Sequence, residues 1–250
     1  MLESFYDQLS PYYKYLFQDW DASVERQASA LDEVIREYFG EQVHSILDAA
    51  CGIGTQTIGL AQKGYELTAS DISSSEIEKA RQEASKRNLN IAFGVADMRD
   101  LQTVYQRKFD LVIACDNAIP HLLSDDEILQ TFEQFHRISS EQGGCMISVR
   151  DYATMQKGGR QFYPRHVHVT ANGKLIVFDL WEFDGDYYDI TIYIMEDTRN
   201  PTVKTTAVRG GRYYCITISR IEALMQEAGF KRVVVLKDRI HQPLLVGLKF

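Results

Sequence analysis

Ile46-Leu47-Asp48-Ala49-Ala50-Cys51-Gly52-Ile53-Gly54 is the stretch whose reading decides the fold. A short apolar run ends in a small-residue loop with two glycines, and a helical pattern over 55–63 follows until Gly64. Glycine has no Cβ to hold a ligand off the backbone, and it adopts dihedrals closed to other residues. Strand, glycine loop and helix in that order describe the first turn of a doubly wound α/β sheet, which binds nucleotides at the carboxyl edge of its strands. A glycine pair also marks ordinary turns, so the loop by itself leaves both readings open.

Outward from the loop, residues 65–70 read as a strand and 75–86 as a helix, with Ser73 or Ser74 as its N-cap. Residues 91–95, 109–114 and 145–149 supply three more strands. A helix over 125–138 is opened by Asp125, Asp126 and Glu127, whose charge suits its positive end. Such alternation is the pattern of parallel βαβ units.

After Val149 the character changes. Residues 163–169, 175–183, 187–195 and 203–208 are aromatic or β-branched, and Asn172-Gly173 and Asp184-Gly185 between them are hairpin signals. They predict an antiparallel β insertion over 159–208, open to two uses, a substrate lid or a homodimer contact. A helix over 219–228, ended by Gly229, and strands over 232–236 and 244–248 complete a core of 41–158 and 209–250. Residues 1–40 form a helical, aromatic-rich cap.

Composition narrows the function. At 250 residues, 45% hydrophobic and 25% charged, the chain reads as an ordinary globular protein. No apolar run is long enough to span a bilayer and the start lacks a signal-peptide pattern, so no membrane role and a cytoplasmic location are expected. A net charge of -8 and scattered basic residues argue against a nucleic-acid partner and for a small-molecule substrate. Cys51, Cys115, Cys145 and Cys215 show no paired ligand spacing, so buried thiols and no metal site are expected.

Asp71 ends the second strand, where a carboxylate can accept the ribose hydroxyls of an adenosine. Its other use is a helix cap. Asp97 follows the third strand, placed to accept from an adenine amino group while Met98 packs on the ring. Acidic residues at successive strand ends, next to the glycine loop, point together to an adenosine ligand.

Residues 46–71 resemble motif I and the second strand of class I S-adenosylmethionine-dependent methyltransferases, and are most similar to the glycine/sarcosine N-methyltransferase-like group. The resemblance implies a seven-stranded, mostly parallel Rossmann-like sheet whose last strand is antiparallel, and S-adenosylmethionine as cofactor with S-adenosylhomocysteine as product. It implies that Ala50, Gly52 and Gly54 line the methionine and ribose part, with Asp71 on the ribose and Ile72 against the adenine. Asp97 and Met98 would hold the base. Asp116 and Asn117 would sit beside the transferring methyl. A dinucleotide oxidoreductase fits less well, because Gly52-x-Gly54-x-x-x-x-Gly59 misses the usual third glycine.

For the substrate, Val149-Arg150-Asp151-Tyr152 is similar to a stretch of that group in which an arginine binds the substrate carboxylate. A guanidinium can grip a carboxylate through two parallel hydrogen bonds, although Arg150 could equally serve a structural ion pair. His121 is the candidate general base, on the expectation that its pKa stays near neutral. Tyr6, Tyr13, Trp20 and Arg26 are the members of the N-terminal segment expected to reach the site; Arg26 resembles an arginine of the related N-methyltransferases that pairs with the cofactor carboxylate. Tyr213 and Tyr214 are read either as facing the substrate or as sheet packing. The reading is methyl transfer to a small amine or amino-acid-like molecule. Its alternatives are an O-methyltransferase using His121 as base and a non-catalytic cofactor-binding module.

Overall fold

The computed structural model describes residues 2–198 and 200–250. Seven strands form one sheet: β1 (Ser45–Asp48), β2 (Glu66–Asp71), β3 (Ala92–Val95), β4 (Phe109–Ala114), β5 (Ser139–Ser148), β10 (Arg232–Leu236) and β11 (Leu244–Leu248), in the order β10-β11-β5-β4-β1-β2-β3. β1 to β5 pair in parallel, whereas β11 runs antiparallel to β5 and β10. The chain starts at β1 in mid-sheet and winds outward in both directions, so the turns after β1 and β4 part at the carboxyl edge and leave a crevice there.

Side-chain alternation explains why the sheet is covered on both faces. Ile46, Leu111 and Ile113 pack with Leu31, Val34, Ile35 and Phe39 of α2 (Trp20–Phe39). Their neighbours Leu47, Val112 and Ala114 face Ile128, Phe132 and Phe135 of α6 (Asp125–Ile138) and Ile221 and Leu224 of α7 (Ile218–Glu227). Between β1 and β2 lies α3 (Thr55–Gln62), and between β2 and β3 lies α4 (Ser74–Lys86). Ser73 caps α4 through the Glu76 amide. A single helical turn, α5 (Leu101–Val104), precedes β4.

The insertion is a separate four-stranded antiparallel sheet of β6 (Arg160–Thr170), β7 (Gly173–Asp184), β8 (Tyr187–Asp197) and β9 (Lys204–Tyr214). Thr170 pairs with Gly173 and Asp184 with Tyr187, so both expected hairpins are two-residue turns. β9 runs six residues beyond the expected end at Val208. Gly211 lies in this added stretch, with Phe5 packed 2.9 Å from where its Cβ would stand. The N-terminal cap is also more broken than its composition suggests. It holds α1 (Leu2–Leu9), a 3-10 turn (Tyr13–Leu16) and then α2.

No helix among the described residues is long and apolar enough to cross a membrane. Among the same residues no three His, Cys, Asp or Glu side chains cluster as metal ligands. All four cysteines are buried and unpaired.

Candidate functional site

Two cavities meet at the carboxyl edge of the sheet, with about 1050 and 1440 Å³ of empty space, solvent-open volume included. Tyr6, Tyr13 and Asp116 line both.

The first lies over the glycine loop. Gly52 and Gly54 have φ of 52° and 91°, a region in which a side chain strains the backbone. The loop is braced from beneath by Asp48, which accepts from the Thr57 hydroxyl at 2.6 Å. Burial pushes the Asp48 carboxyl up to about 7. Asp71 accepts from the Gly52 amide at 2.8 Å and from the Ser73 amide at 3.0 Å, which fixes its carboxyl beside the loop. Ala50, Gly52, Asp71, Ile72, Asp97, Met98, Asp116 and His121 all line this space.

Several expected roles shift. Gly54 lies off the cavity wall and caps α3. Trp20 lines neither cavity: its indole donates to Thr55 Oγ1 at 2.9 Å and packs on Ile53 and Ile58, pinning α2 to α3. Asp97 accepts from the Arg99 side chain through Nε, near 3 Å to both carboxyl oxygens, and through Nη2 at 2.5 Å, and Arg99 also pairs with Glu127. Arg99 and Glu127 both line the cavity and escaped sequence reasoning, Glu127 because an acid in a first helical turn reads as dipole compensation.

Asp116 and Asn117 close β4 with φ of 54° and 70°. Short polar side chains tolerate that conformation, here fixed by the Ser148 hydroxyl accepting from the Asp116 amide at 2.8 Å. Asn117 is 1% exposed, and both ends of its amide are hydrogen-bonded. Its Oδ1 accepts from the Arg150 amide at 3.0 Å and its Nδ2 donates to the Tyr152 hydroxyl at 2.8 Å. It lines neither cavity, and its side chain holds the backbone at Arg150.

The second cavity is enclosed by α1, α2 and the inner face of the insertion, and Arg26 and Arg150 line it. Arg26 donates to Ser23 Oγ at 3.1 Å. Arg150 donates to the Tyr188 hydroxyl at 3.1 Å and lies 5.0 Å from the Trp181 ring centre. A guanidinium over an aromatic face keeps its charge while shedding water. Among the described residues no carboxylate pairs with it, whereas the insertion's own Arg165 is paired with Asp179 at 2.7 Å. Arg165, His166 and Gln242 also face this chamber; Arg165 gave no sequence signal, since a charged residue within an antiparallel strand reads as solvent-facing.

An aromatic column runs from the insertion to His121, its Tyr213 lining the second cavity and His121 the first. Trp181 stacks on Tyr188 at 4.5 Å, Tyr188 on Tyr213 at 4.9 Å, and Tyr213 meets His121 at 3.9 Å. His121 Nδ1 lies 3.0 Å from the Arg212 carbonyl, which can only accept, so Nδ1 carries the proton. Nε2 therefore accepts from the Tyr6 hydroxyl at 2.7 Å. Burial lowers the imidazole to about 3, not the near-neutral value expected.

Comparison with known proteins agrees with this geometry. Residues 46–143 match the family model described as "Methyltransferase domain". The chain is 34% identical over 104 residues to the "Putative methyltransferase YqeM" of Bacillus subtilis, covering 42% of this chain and 41% of that protein. It is 24% identical over 181 residues to the "Glycine/sarcosine N-methyltransferase" of Aphanothece halophytica, covering 70% of this chain and 66% of that one. The chain thus spans about half the length of the curated relatives it matches. Among solved structures it is similar to Streptomyces venezuelae DesVI, with a TM-score of 0.79 at 19% identity over 94% of this chain and 95% of the other. The sugar N-methyltransferase KedS8 from Streptoalloteichus gives 0.75 at 19% identity, over 93% and 88%. Residues 46–143 thus match a methyltransferase domain model, and the chain as a whole has a Rossmann-like fold similar to that of solved methyltransferases.

Proposed function

We propose that the protein transfers a methyl group from S-adenosylmethionine to the amine of a small, carboxylate-bearing molecule. The cofactor fits the first cavity by the chemistry of its walls. Gly52 leaves the loop face open, Asp71 offers a carboxylate for ribose hydroxyls, and Ile72 and Met98 provide apolar surface for a base. Asp97, with Arg99 beside it, stands at the base end. When bound, S-adenosylmethionine supplies an electrophilic methyl group on a sulfonium. The chain's own work is to orient the acceptor, exclude water and balance its charge.

One observation carries the acceptor class. Arg150 is a half-buried cation resting on aromatic rings, in a chamber that shares Tyr6, Tyr13 and Asp116 with the cofactor cleft. A carboxylate on Arg150 would turn the other end of a short molecule toward Asp116 and the two phenols. An amine there needs only to be unprotonated, whereas a hydroxyl acceptor needs a base. His121, neutral with its free nitrogen already accepting from Tyr6, supports the amine reading over O-methylation.

The test is adenosylhomocysteine release from a panel of amino acids, simple amines and phenols. Turnover on amino acids, with KM raised at least tenfold by Arg150→Met and kcat less affected, is the expected result. Turnover on phenols alone, or an unchanged KM in the variant, would overturn the assignment. Binding without any turnover would leave a non-catalytic module.

A further inference from the structure

Glu76, the third residue of α4, is fully buried, and neither of its carboxyl oxygens has a hydrogen-bond partner. The donors around the start of α4 are committed elsewhere. The Gly52 and Ser73 amides donate to Asp71, and the Ser73 hydroxyl donates to Asp7. For folding alone an apolar residue of similar size would serve better, because an unpaired buried polar group keeps its full desolvation cost.

Its surroundings say what it is for. Glu76 Oε2 lies 3.9 Å from where a Cβ on Gly52 would stand, and the Tyr13 hydroxyl lies 3.6 Å from the same point. The open face of Gly52 is thus bordered by one carboxyl and one phenol. The charged or titratable groups facing Glu76 are Asp71 at the end of β2, Asp7 on α1, Tyr13 in the following turn, Cys51 in the loop and Lys79 on its own helix. Burial, helped by Asp71 and Asp7, pushes its carboxyl up to about 9. At neutral pH it is an uncharged acid that both donates and accepts.

We propose that Glu76 is a cofactor-contacting residue that shares the ribose with Asp71: a ligand laid across Gly52 gives the buried carboxyl its missing partner, a ribose hydroxyl, under the cover of Tyr13. A hydroxyl, itself donor and acceptor, matches a neutral acid, whereas the cofactor's ammonium would call for an ionised one. The inference rests on the adenosine reading of this cavity.

Calorimetry with S-adenosylhomocysteine, adenosine, 2′-deoxyadenosine and 3′-deoxyadenosine tests it on wild type, Glu76→Gln, Glu76→Leu and Glu76→Met. Glu76→Gln should bind S-adenosylhomocysteine and adenosine within about threefold of wild type. Glu76→Leu and Glu76→Met should weaken both by roughly tenfold or more, as for a lost buried hydrogen bond, while melting at a higher temperature than wild type. In wild type one of the two deoxynucleosides should bind correspondingly worse than adenosine, and that difference should vanish in the apolar variants. Unchanged binding in the apolar variants, or an equal loss for adenosine and both deoxynucleosides, overturns the proposal. So does a lower melting temperature in both. Failure of wild type to bind S-adenosylhomocysteine or adenosine overturns the cofactor reading instead.

Discussion

Burial takes His121 down to about 3 and Glu76 up to about 9, so each sits uncharged in the folded chain at pH 7. The signs of their effects on stability are opposite. His121 cannot take the proton that the unfolded chain binds below its ordinary pKa, so its contribution is intact above pH ~6.5 and is lost as pH falls toward 3. Glu76 keeps a proton that the unfolded chain releases, so its contribution is intact below pH ~4.5 and is lost as pH rises toward 9. Melting temperature should therefore fall on both flanks of the weakly acidic range. Glu76→Gln should flatten the alkaline flank, by on the order of 3 kcal/mol at pH 7. His121→Gln should flatten the acid flank instead. Melting curves from pH 4 to 9 on the three proteins check this, and parallel slopes would contradict it. Neither residue's state was legible in the sequence. His121 is a lone histidine after Pro120, and Glu76 follows a serine cap at the usual capping-box position. Only tertiary packing removes water from them. Asp71, Gly52 and Met98 were legible because strand ends fix where such side chains stand.

At the scale of elements, the strands and helices with strong periodicity were found to the residue. Phe109–Ala114 and Asp125–Ile138 are examples. The elements misread were those whose limits come from a partner. β5 begins at Ser139, well before the apolar residues that announce it, because its early residues pair alongside β4. Gly59 shows the same dependence. In sequence it was only a glycine too late for a dinucleotide fingerprint. In the structure a Cβ there would stand 2.5 Å from the Ala28 Cβ and 2.8 Å from the Val24 carbonyl, so Gly59 is what lets α2 lie against α3. Gly59→Leu should force the helices apart and destabilise the protein by about 1–3 kcal/mol, the usual cost of overpacking. Because Arg26 rides on α2, the variant should also weaken S-adenosylhomocysteine binding, measured by calorimetry well below its melting temperature. Wild-type affinity with reduced stability would separate Arg26 from the cofactor.

For the whole molecule, the site belongs to three parts of the chain that are remote in sequence, and α1 is the piece that joins them. Asp7 accepts from the Ser73 hydroxyl at 2.7 Å and Ser10 donates to the Ser75 carbonyl at 3.2 Å, fastening α1 to the start of α4. On its other side Tyr6 reaches His121, and Phe5 packs on Gly211 of β9. Phe5 and Leu9 are each 1% exposed, a burial worth about 1.5–3 kcal/mol per side chain. No strand of the seven-stranded sheet needs α1 for pairing. A chain lacking residues 2–12 should therefore keep its core but lose Tyr6 from the wall between the two cavities. Amide exchange should quicken in β9 and at the start of α4 while β1 and β4 stay protected. S-adenosylhomocysteine should bind at least about tenfold more weakly, the loss expected when a water-excluding cover and one buried hydrogen bond go together. If exchange and affinity both match wild type, α1 is only packing, and the cover over the cleft must come from Tyr13 and the insertion alone.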